Sequence, residues 1–367
     1  MDYEELMKRA LQLALNGTGY VSPNPRVGAV ISRDGEIIGE GWHQYYGGSH
    51  AEVEAIKNSP TDDFTDCTLA VNLEPCSHHG KTPPCADLII EKNFKAVVIG
   101  MEDPNPEVAG SGIRKLQDAG IEVITGVLKN DCRWINRFFS KHITTGMPFV
   151  LAKIAQSLDG CIASSGGDSK WITSEESRKR VHKLRAELDC VLIGRKTASK
   201  DNPSLTVRMV KGRNPRRIIM DTQLSLPLSL KVFTDEERAD TVVVCSAEAA
   251  KSKKAENLEI AGINIFPYSQ DDNTGINLAE TIKMLAAKFG LSSILVEGGA
   301  GIYSSFAKSN LIDELHIFNA PIVIGNGLSS FNSFKTFFVK DAAQFHIKAV
   351  LKSGTDFQVI AVNYPNS

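Results

Sequence analysis

Apolar runs divide the first third of the chain into helices and strands. Apolar positions at helical spacing predict a helix over residues 3–15, and the runs VGAVIS and EIIGEGWH predict two strands joined by a turn at Asp34-Gly35. Ser49 is a favoured N-cap with Glu52 three places later, so the pattern predicts a capping box and a helix through HAEVEAIKN. CTLAVNLEP, CADLIIEKN and KAVVIGM then predict strand, helix and strand, an order that favours parallel pairing.

A glycine and a proline interrupt this pattern in the segment TTGMP, before the new apolar run FVLAKIA. A chain of 367 residues is also too long for one ordinary core. We therefore predict two domains, 1–146 and 147–367, with the junction near Gly146. The second domain alternates the strands CVLIG, RRIIMD, DTVVVCS and SILVEGG with helices, and ends in apolar strands such as LHIFNAPIVIG. Both domains are expected to be layered α/β folds.

Charge narrows the classes of partner. The formal net charge is -2 and no run is dense in lysine or arginine, so the footprint of a dedicated nucleic-acid binder is missing. A small anionic substrate fits this balance better than a polymer. The start, MDYEELMKRALQLAL, mixes acids and bases and lacks a continuous apolar stretch, so we expect no signal peptide, no membrane association and a cytoplasmic location.

The seven cysteines are an odd number scattered along the chain, which argues against a disulfide framework. Five of them lie in apolar or helical contexts, where a small buried hydrophobic role is expected: Cys67, Cys132, Cys161, Cys190 and Cys245. The other two, Cys76 and Cys85, belong to a different pattern.

That pattern is His50-Ala51-Glu52 followed by EPCSHHGKTPPC, which supplies one imidazole and two thiols near helix starts. Such soft ligands suit zinc, and three protein ligands leave a position for water, as in catalytic zinc sites. We predict His50, Cys76 and Cys85 as zinc ligands and Glu52 as the general acid and base. His78 and His79 could compete as ligands, but their place in the loop between the cysteines favours contact with substrate or solvent.

These residues resemble the zinc-dependent nucleobase deaminases, whose signature is H-x-E followed by P-C-x-x-C. Here eight residues rather than two separate the cysteines. EPCSHHGKTPPC, with SPNPRVGAV upstream and DPNPEVAGSGI downstream, resembles more closely the deaminase half of the bifunctional deaminase/reductase family of riboflavin biosynthesis. The resemblance implies a cytidine-deaminase-like three-layer α/β/α domain with one zinc ion. It also implies substrate contacts at Asn24, His43 and Lys81.

The segments AKIAQSLDGCIA, GDSKWITSEESR, DNPSLTVR and LVEGGAGIYSSF are similar to the reductase half of the same family, which has a dihydrofolate-reductase-like α/β fold. In the last of them a strand runs into a glycine loop and a helix, an arrangement that presents backbone amides to a phosphate. The resemblance implies NADPH contacts at Ala155, Trp171, Thr197, Asp201, Thr222, Gly299, Ala300, Gly301, Ile302, Tyr303, Ser304 and Ser305. A core position is the alternative for Trp171.

Substrate contacts in the second domain are implied at Lys153, Ser169, Arg185, Leu205, Arg208 and Glu297. Lys153 and Asp201 are expected near the ribose portion that is reduced. Arg195 and Lys196 directly follow the strand CVLIG, and their charge and position predict binding of the extra phosphate of NADPH.

Taken together, the resemblance implies a cytoplasmic enzyme that deaminates a phosphorylated diaminopyrimidinone and then reduces its opened ribosyl side chain with NADPH. It further implies a homo-oligomer. Two alternatives stay open. One is a tRNA or nucleoside deaminase whose C-terminal domain only binds a ligand, and the other is a regulatory protein with a structural zinc and a domain that senses NADPH.

Overall fold

The chain folds as two units, Met1–Met147 and Pro148–Ser367. The structure is a computed structural model that describes residues 2–77, 83–106, 108–271 and 275–363. Within these ranges no helix has both the length and the apolar character needed to cross a membrane.

A five-stranded mixed sheet, in the order β2-β1-β3-β4-β5, forms the centre of the first unit. β1 pairs antiparallel with β2 and with β3, whereas β3, β4 and β5 are parallel. The elements are α1 (Tyr3–Ala14), β1 (Gly28–Arg33), β2 (Glu36–Trp42), α2 (Ala51–Lys57), β3 (Thr68–Val71), α3 (Cys85–Glu91), β4 (Ala96–Ile99), α4 (Ser111–Asp118), β5 (Glu122–Thr125), α5 (Lys129–Ile135) and α6 (Arg137–Thr145).

Helices cover both faces of this sheet because successive strand residues point to opposite sides. Ile31 and Val71 face a core shared with α2, α3 and α4. Val30 and Ala70 face the opposite core, which includes α1 and Cys132 of α5. The expectation of three α/β/α layers is therefore confirmed.

The start of α2 differs from the expectation. His50, rather than Ser49, is the N-cap residue, and no side chain caps the helix, so the predicted capping box is wrong. The Ser49 carbonyl instead accepts a hydrogen bond from the His43 ring at 2.9 Å. As a result Glu52 is the second residue of α2, not the third. The predicted Asp34-Gly35 turn is confirmed, since both residues have positive φ angles, 52° and 82°.

A nine-stranded sheet, in the order β11-β10-β9-β8-β12-β6-β13-β16-β15, forms the centre of the second unit. β15 and β16 form an antiparallel hairpin at one side, and β16 pairs antiparallel with β13; the other neighbours are parallel. The strands are β6 (Phe149–Ser157), β7 (Cys161–Ala163), β8 (Cys190–Gly194), β9 (Arg216–Met220), β10 (Thr241–Cys245), β11 (Asn264–Pro267), β12 (Ser293–Val296), β13 (Glu314–Ala320), β14 (Leu328–Ser329), β15 (His346–Ser353) and β16 (Asp356–Val362).

Helices connect these strands: α7 (Glu175–Glu187), α8 (Arg195–Asp201), α9 (Lys231–Thr234), α10 (Lys253–Ile260), α11 (Leu278–Phe289) and α12 (Ala300–Lys308). β7 and β14 form a separate two-stranded sheet. The predicted strand LHIFNAPIVIG is too long, because β13 ends at Ala320. Pro321 follows, and a proline has no N–H group to continue the ladder.

The β15–β16 hairpin supports the first turn of α7. The buried Asp356 carboxylate accepts hydrogen bonds from the Ser174 N–H at 2.7 Å and from the Ser177 hydroxyl at 2.6 Å. One turn later, Arg180 donates to the Gln358 side chain and to the Lys352 carbonyl. The hairpin thus fixes one end of the helix that carries Arg185.

All seven cysteines are free. The five that were predicted as small core residues are indeed buried. Cys85 is buried as well, and Cys76 is half-buried.

Close packing on two glycines places α2 against the sheet. A Cβ atom at Gly41 would lie 2.3 Å from the Ala55 nitrogen and 2.4 Å from the Ala51 carbonyl oxygen. A Cβ atom at Gly39 would likewise lie 2.6 Å from the Ala55 carbonyl oxygen. The backbone of α2 is therefore within reach of β2 only because these positions lack side chains.

We expect Gly41→Ala to lower the free energy of unfolding by about 1–3 kcal/mol, because the new methyl group must displace the α2 backbone. Urea unfolding followed by circular dichroism measures the change. Gly166→Ala is the control, since its Cβ would meet nothing closer than 3.8 Å. An equally small effect in both variants would contradict the packing argument.

Candidate active sites

The predicted site residues of the first unit lie near one end of the strands of its sheet. Trp42, at the end of β2, pairs with Gly28 at the start of β1, and Val71, at the end of β3, pairs with Ala29. The end of β2, the end of β3 and the entry to β1 therefore lie at the same edge. Helices α2 and α3 follow β2 and β3, so their N-termini begin near this edge.

Three predicted ligands converge there. His50 is the N-cap of α2 and Cys85 is the first residue of α3. The His50 Nδ1 atom lies 3.2 Å from the Cys85 Sγ and 3.5 Å from the Cys76 Sγ, and the three ligand atoms lie within 4.8 Å of one another. A tetrahedral zinc ion with ordinary bond lengths separates its nitrogen and sulfur ligands by about 3.5 to 3.8 Å. The donor set and its spacing fit zinc.

The three ligand side chains shift one another's pKa values in different directions. A hydrogen bond from the Cys85 thiol, helped by His50, lowers the pKa of Cys76 to about 4. The hydrogen bond with Cys76 raises the pKa of His50 to about 9. The pKa of Cys85 is raised as well, first by its own hydrogen bond with Cys76 and then by burial. The backbone N–H of Cys85 also donates to the Cys76 Sγ at 3.2 Å. The lowered pKa of Cys76 favours its thiolate, the form that binds a metal.

Glu52 lies beside this cluster with only 3% of its surface exposed. Burial raises the pKa of its carboxyl group, while the charge of His50 opposes that shift. A carboxyl group with a raised pKa can both accept and return a proton near neutral pH. Its position two residues after a ligand is the one that the sequence pattern requires.

The predicted substrate contacts Asn24 and His43 meet each other in the structure. The buried His43 ring uses Nδ1 toward the Ser49 carbonyl, so Nδ1 carries the proton and Nε2 accepts from the Asn24 amide at 3.1 Å. Burial lowers the pKa of His43, which favours this neutral form. Its ring lies edge-on to that of His50, with 6.0 Å between centroids. Lys81, His78 and His79 lie outside the described residues.

Two asparagines that the sequence analysis missed fix the loop before β1. The Asn136 side chain accepts from the Arg26 N–H at 2.7 Å and donates to the Arg26 carbonyl at 3.0 Å. Asn72 donates to the same carbonyl and accepts from the Gly28 N–H. The loop that carries Asn24 is thus held on two sides. No local signal reveals this, because Asn136 lies 110 positions from Arg26.

In the second unit, three predicted substrate contacts form one ion-pair cluster. Glu297 follows β12 and accepts two hydrogen bonds from the Arg185 guanidinium, at 2.6 and 3.0 Å, and its Oε2 lies 3.0 Å from the Lys153 ammonium. Burial alone would raise the pKa of Glu297, but the charges of Arg185 and Lys153 outweigh it and hold that pKa well below its usual range. The cluster presents a net positive charge beside the strand end.

The DNPSLTVR segment packs against this cluster. Arg185 donates to the Thr206 carbonyl, and Arg208 donates from its backbone to His182 and from its side chain to the Thr206 hydroxyl. Leu205 is buried and has a φ of 58°, a conformation that is rare for leucine. Burial lowers the pKa of His182 to about 4, so this ring is neutral.

His182 was missed by the sequence analysis. It lies one helical turn before Arg185 on α7, and residues three apart share a helix face. The spacing could therefore have indicated it.

Two helix N-termini meet beside the glycine loop. Gly299 is the N-cap of α12, and a Cβ at this position would lie 3.2 Å from the Thr197 hydroxyl, near the start of α8. Paired helix N-termini present N–H groups and positive dipole ends to an anion. Residues 300–305 belong to α12 rather than to a loop, and the Tyr303 hydroxyl among them is already used, since it donates to the Lys153 carbonyl at 2.5 Å. Ala300 and Ser304 are buried.

The remaining predicted contacts vary in exposure. Trp171 is 75% exposed and stacks with Arg178, whose guanidinium carbon lies 4.6 Å from the ring centroid, so the core alternative for this tryptophan is wrong. Arg195 is exposed and donates to the Ser225 hydroxyl at 3.0 Å. Three further contacts are exposed: Lys196, Asp201 and Arg208. Six are half-buried: Ala155, Ser169, Thr197, Thr222, Gly299 and Ile302. Gly301 and Ser305 are exposed.

Family models match both units. Residues 1–101 match the family described as the cytidine and deoxycytidylate deaminase zinc-binding region, and residues 148–359 match the family described as the RibD C-terminal domain. With the donor geometry above, these matches define the class of protein: an enzyme with a zinc-dependent deaminase unit and an NADPH-dependent reductase unit.

Relatives of full length carry the same two units. The riboflavin biosynthesis protein RibD of Bacillus amyloliquefaciens is 41% identical over 364 residues, covering 98% of this chain and 96% of its own. The RibD protein of Aquifex aeolicus is 44% identical over 324 residues, 88% of each chain. The crystal structure of the Thermotoga maritima diaminohydroxyphosphoribosylaminopyrimidine deaminase/5-amino-6-(5-phosphoribosylamino)uracil reductase has a TM-score of 0.86 at 40% identity, over 98% of both chains. The chain belongs to the RibD family and is a bifunctional deaminase and reductase of riboflavin biosynthesis.

We expect Glu52→Gln to lower the rate of ammonia release roughly 10²–10⁴-fold, because the amide cannot carry protons. Zinc content and NADPH-dependent reduction should be unchanged, since Glu52 is neither a predicted ligand nor part of the second unit. Metal analysis and separate assays of the two activities check this. Ammonia release at the normal rate would overturn the assignment of Glu52.

Proposed function

We propose that residues 1–146 hydrolyse the amino group of 2,5-diamino-6-(5-phosphoribosylamino)pyrimidin-4-one, and that residues 147–367 reduce the product with NADPH to 5-amino-6-(5-phosphoribitylamino)uracil. The observation that carries the proposal is the convergence of His50, Cys76 and Cys85 beside the buried carboxyl group of Glu52. This arrangement joins a metal site to a proton carrier.

In the proposed deamination, His50, Cys76 and Cys85 would hold a zinc ion, which would supply the Lewis acidity that lowers the pKa of water. Glu52 takes a proton from the attacking water and passes it to a ring nitrogen. A new C–O bond forms at the ring carbon that carries the amino group. Glu52 then takes the remaining proton of the new hydroxyl group and gives it to the leaving nitrogen, so that a C=O bond forms as the C–N bond breaks and ammonia departs.

In this proposal Asn24, His43 and Lys81 orient the substrate. Both nitrogens of the neutral His43 ring are engaged, one with the Ser49 carbonyl and one with the Asn24 amide. His43 therefore orients Asn24 at the site edge, where the other N–H and the oxygen of that amide can hydrogen-bond to the pyrimidine. Lys81 would meet the substrate phosphate as a point charge. The alternative of a tRNA or nucleoside deaminase is not favoured, because the relatives match both units of the chain.

In the proposed reduction, NADPH supplies the hydride, and the chain binds and orients both partners. The pyrophosphate would lie at the paired N-termini of α8 and α12, in contact with Thr197 and residues 299–305. Ala155, Trp171, Asp201 and Thr222 complete the proposed cofactor contacts. Exposed Arg195, with Lys196 beside it, would bind the extra ribose phosphate.

Lys153, Arg185 and Glu297 form the substrate part of the proposed reductase site. Glu297 holds the two cations in place, and the cluster keeps enough positive charge to attract the substrate phosphate. Ser169, Leu205 and Arg208 are the other proposed contacts. Lys153 and Asp201 are assigned to the ribosyl portion that accepts the hydride.

We also propose that the enzyme is a cytoplasmic homo-oligomer. The seven free thiols agree with a reducing compartment. β15 is one of the two outer strands of the nine-stranded sheet, and 69% of Ile347 and 61% of Val350 are exposed on it. An apolar edge strand is a template for pairing with another chain, and a second copy offers the identical strand.

Zinc removal provides a direct test of the two activities. We expect enzyme treated with a chelator to lose ammonia release from the phosphoribosylated diaminopyrimidinone, while it still oxidises NADPH when given the deaminated compound. Added zinc should restore the first activity. Equal loss of both activities, or ammonia release without metal, would contradict the division of function.

Cofactor choice tests Arg195. We expect Arg195→Ala to reduce the preference for NADPH over NADH by roughly tenfold or more, because a charge-assisted bond to the extra phosphate is lost. The ratio of kcat/KM for the two cofactors measures this preference. Lys200→Ala is the control, because it removes another exposed positive charge from α8. An unchanged ratio would remove Arg195 from the cofactor site.

A further inference from the structure

Glu74 lies two residues before Cys76 and is almost fully buried. Its carboxylate accepts four hydrogen bonds, all from backbone N–H groups. Oε2 accepts from Asp103 and Gly110, each at 3.0 Å, and Oε1 accepts from Gly112 at 2.8 Å and Ile113 at 3.2 Å. One side chain thus ties the segment after β3 to the loop after β4 and to the first turn of α4.

The charge of this carboxylate suits its surroundings. Gly110 is the N-cap of α4, where backbone N–H groups have no partners within the helix and the dipole is positive. Four donors converge on two oxygens, which only a carboxylate can satisfy. A glutamine would turn its NH₂ group toward two of these donors and leave them unpaired.

Contacts on both sides of Cys76 reinforce the tie. A Cβ at Gly112 would lie 2.1 Å from the Pro75 carbonyl oxygen, so the α4 backbone touches the residue directly before Cys76. On the other side, the Ser77 and Ser111 hydroxyls are 2.6 Å apart. Cys76 is therefore held between two attachments to the start of α4.

The sulfur of Cys76 then has a defined place relative to the other donors. The Cys76 carbonyl accepts a hydrogen bond from the Ala86 N–H at 3.1 Å, and the Cys76 Sγ accepts one from the Cys85 N–H at 3.2 Å. The start of α4 fixes one side of the Cys76 segment and the start of α3 fixes the other.

We propose that Glu74 is a positioning residue that sets the location of the Cys76 sulfur against His50 and Cys85, and thereby the grip of the site on its metal. The inference rests on the proposed role of Cys76 as a zinc ligand. Groups that orient metal ligands commonly change metal affinity 10–100-fold when they are altered.

The test is Glu74→Gln in the full chain, with three measurements. The first is the rate at which zinc passes to a competing chelator. The second is the visible spectrum of the cobalt-substituted protein, whose sulfur-to-metal bands report the ligand geometry. The third is kcat and KM for ammonia release. We expect zinc loss to be about 10–100-fold faster, the cobalt bands to shift and kcat to fall more than KM changes.

Two controls isolate the effect. Glu40→Gln removes another carboxylate of the same unit, one that pairs with Arg9 on the surface, and should leave all three measurements unchanged. Reduction of the deaminated compound should be unchanged in every variant. Ser111→Ala removes the Ser77 attachment, together with the hydrogen bond that Ser111 donates to the Val108 carbonyl, and leaves Glu74 intact. It should shift zinc loss and the cobalt bands in the same direction by a smaller amount.

The outcomes separate this inference from the proposed function. If the unaltered protein binds no zinc, the proposed function fails. If it binds zinc and Glu74→Gln has the same zinc loss and cobalt bands, only the inference fails, even when the variant is less stable to urea. If Glu74→Gln does not fold, Ser111→Ala decides: a shift supports the inference, and an unchanged site overturns it.

Discussion

Parallel strands carry one geometric constraint on which both units depend: their carboxyl ends share an edge, and the helices that follow begin there. In the first unit this constraint places the N-cap of α2 and the first residue of α3 beside the end of β3, so that His50, Cys85 and Cys76 can meet. In the second unit it places the starts of α8 and α12 together. Each unit thus concentrates free backbone N–H groups and polar side chains where the chemistry occurs.

The two units stabilise their buried charges in different ways. In the first, the hydrogen bond with Cys85 and the nearby His50 lower the pKa of Cys76 and favour its thiolate, and Glu52 has a raised pKa because it is buried. In the second, Glu297 stays ionised because two cations contact it directly. A carboxyl group therefore carries protons in one site and organises positive charge in the other. Its environment, rather than its type, determines its role.

Much of the first site could be predicted because its residue types are chemically specific. An imidazole, two thiols and a carboxylate within two short motifs are the groups that a catalytic zinc site needs. The start of α2 could not be placed, since the Ser49 carbonyl is occupied by His43 and leaves His50 as the N-cap. The link between Asn136 and Arg26 was also hidden, because hydrogen bonds between distant segments leave no periodic pattern in the sequence.

The second site depended more on family resemblance. Nothing local indicates that Arg185 pairs with Glu297, 112 positions away. The β15–β16 hairpin was missed because a shift in register between Ile347 and Ala349 breaks the alternation that identifies a strand. Its edge position also leaves both faces of β15 largely exposed, which removes the usual contrast between core and solvent positions.

That hairpin has a consequence for the order in which the polypeptide matures during synthesis. The sheet of the first unit closes with β5, so it can form while the ribosome is still making the second half. β6 must wait for β12 and β13, its two neighbours in the sheet, and α7 receives the support of Asp356 only after β16 has emerged. A nascent chain would acquire its metal-binding half well before the half that handles the dinucleotide.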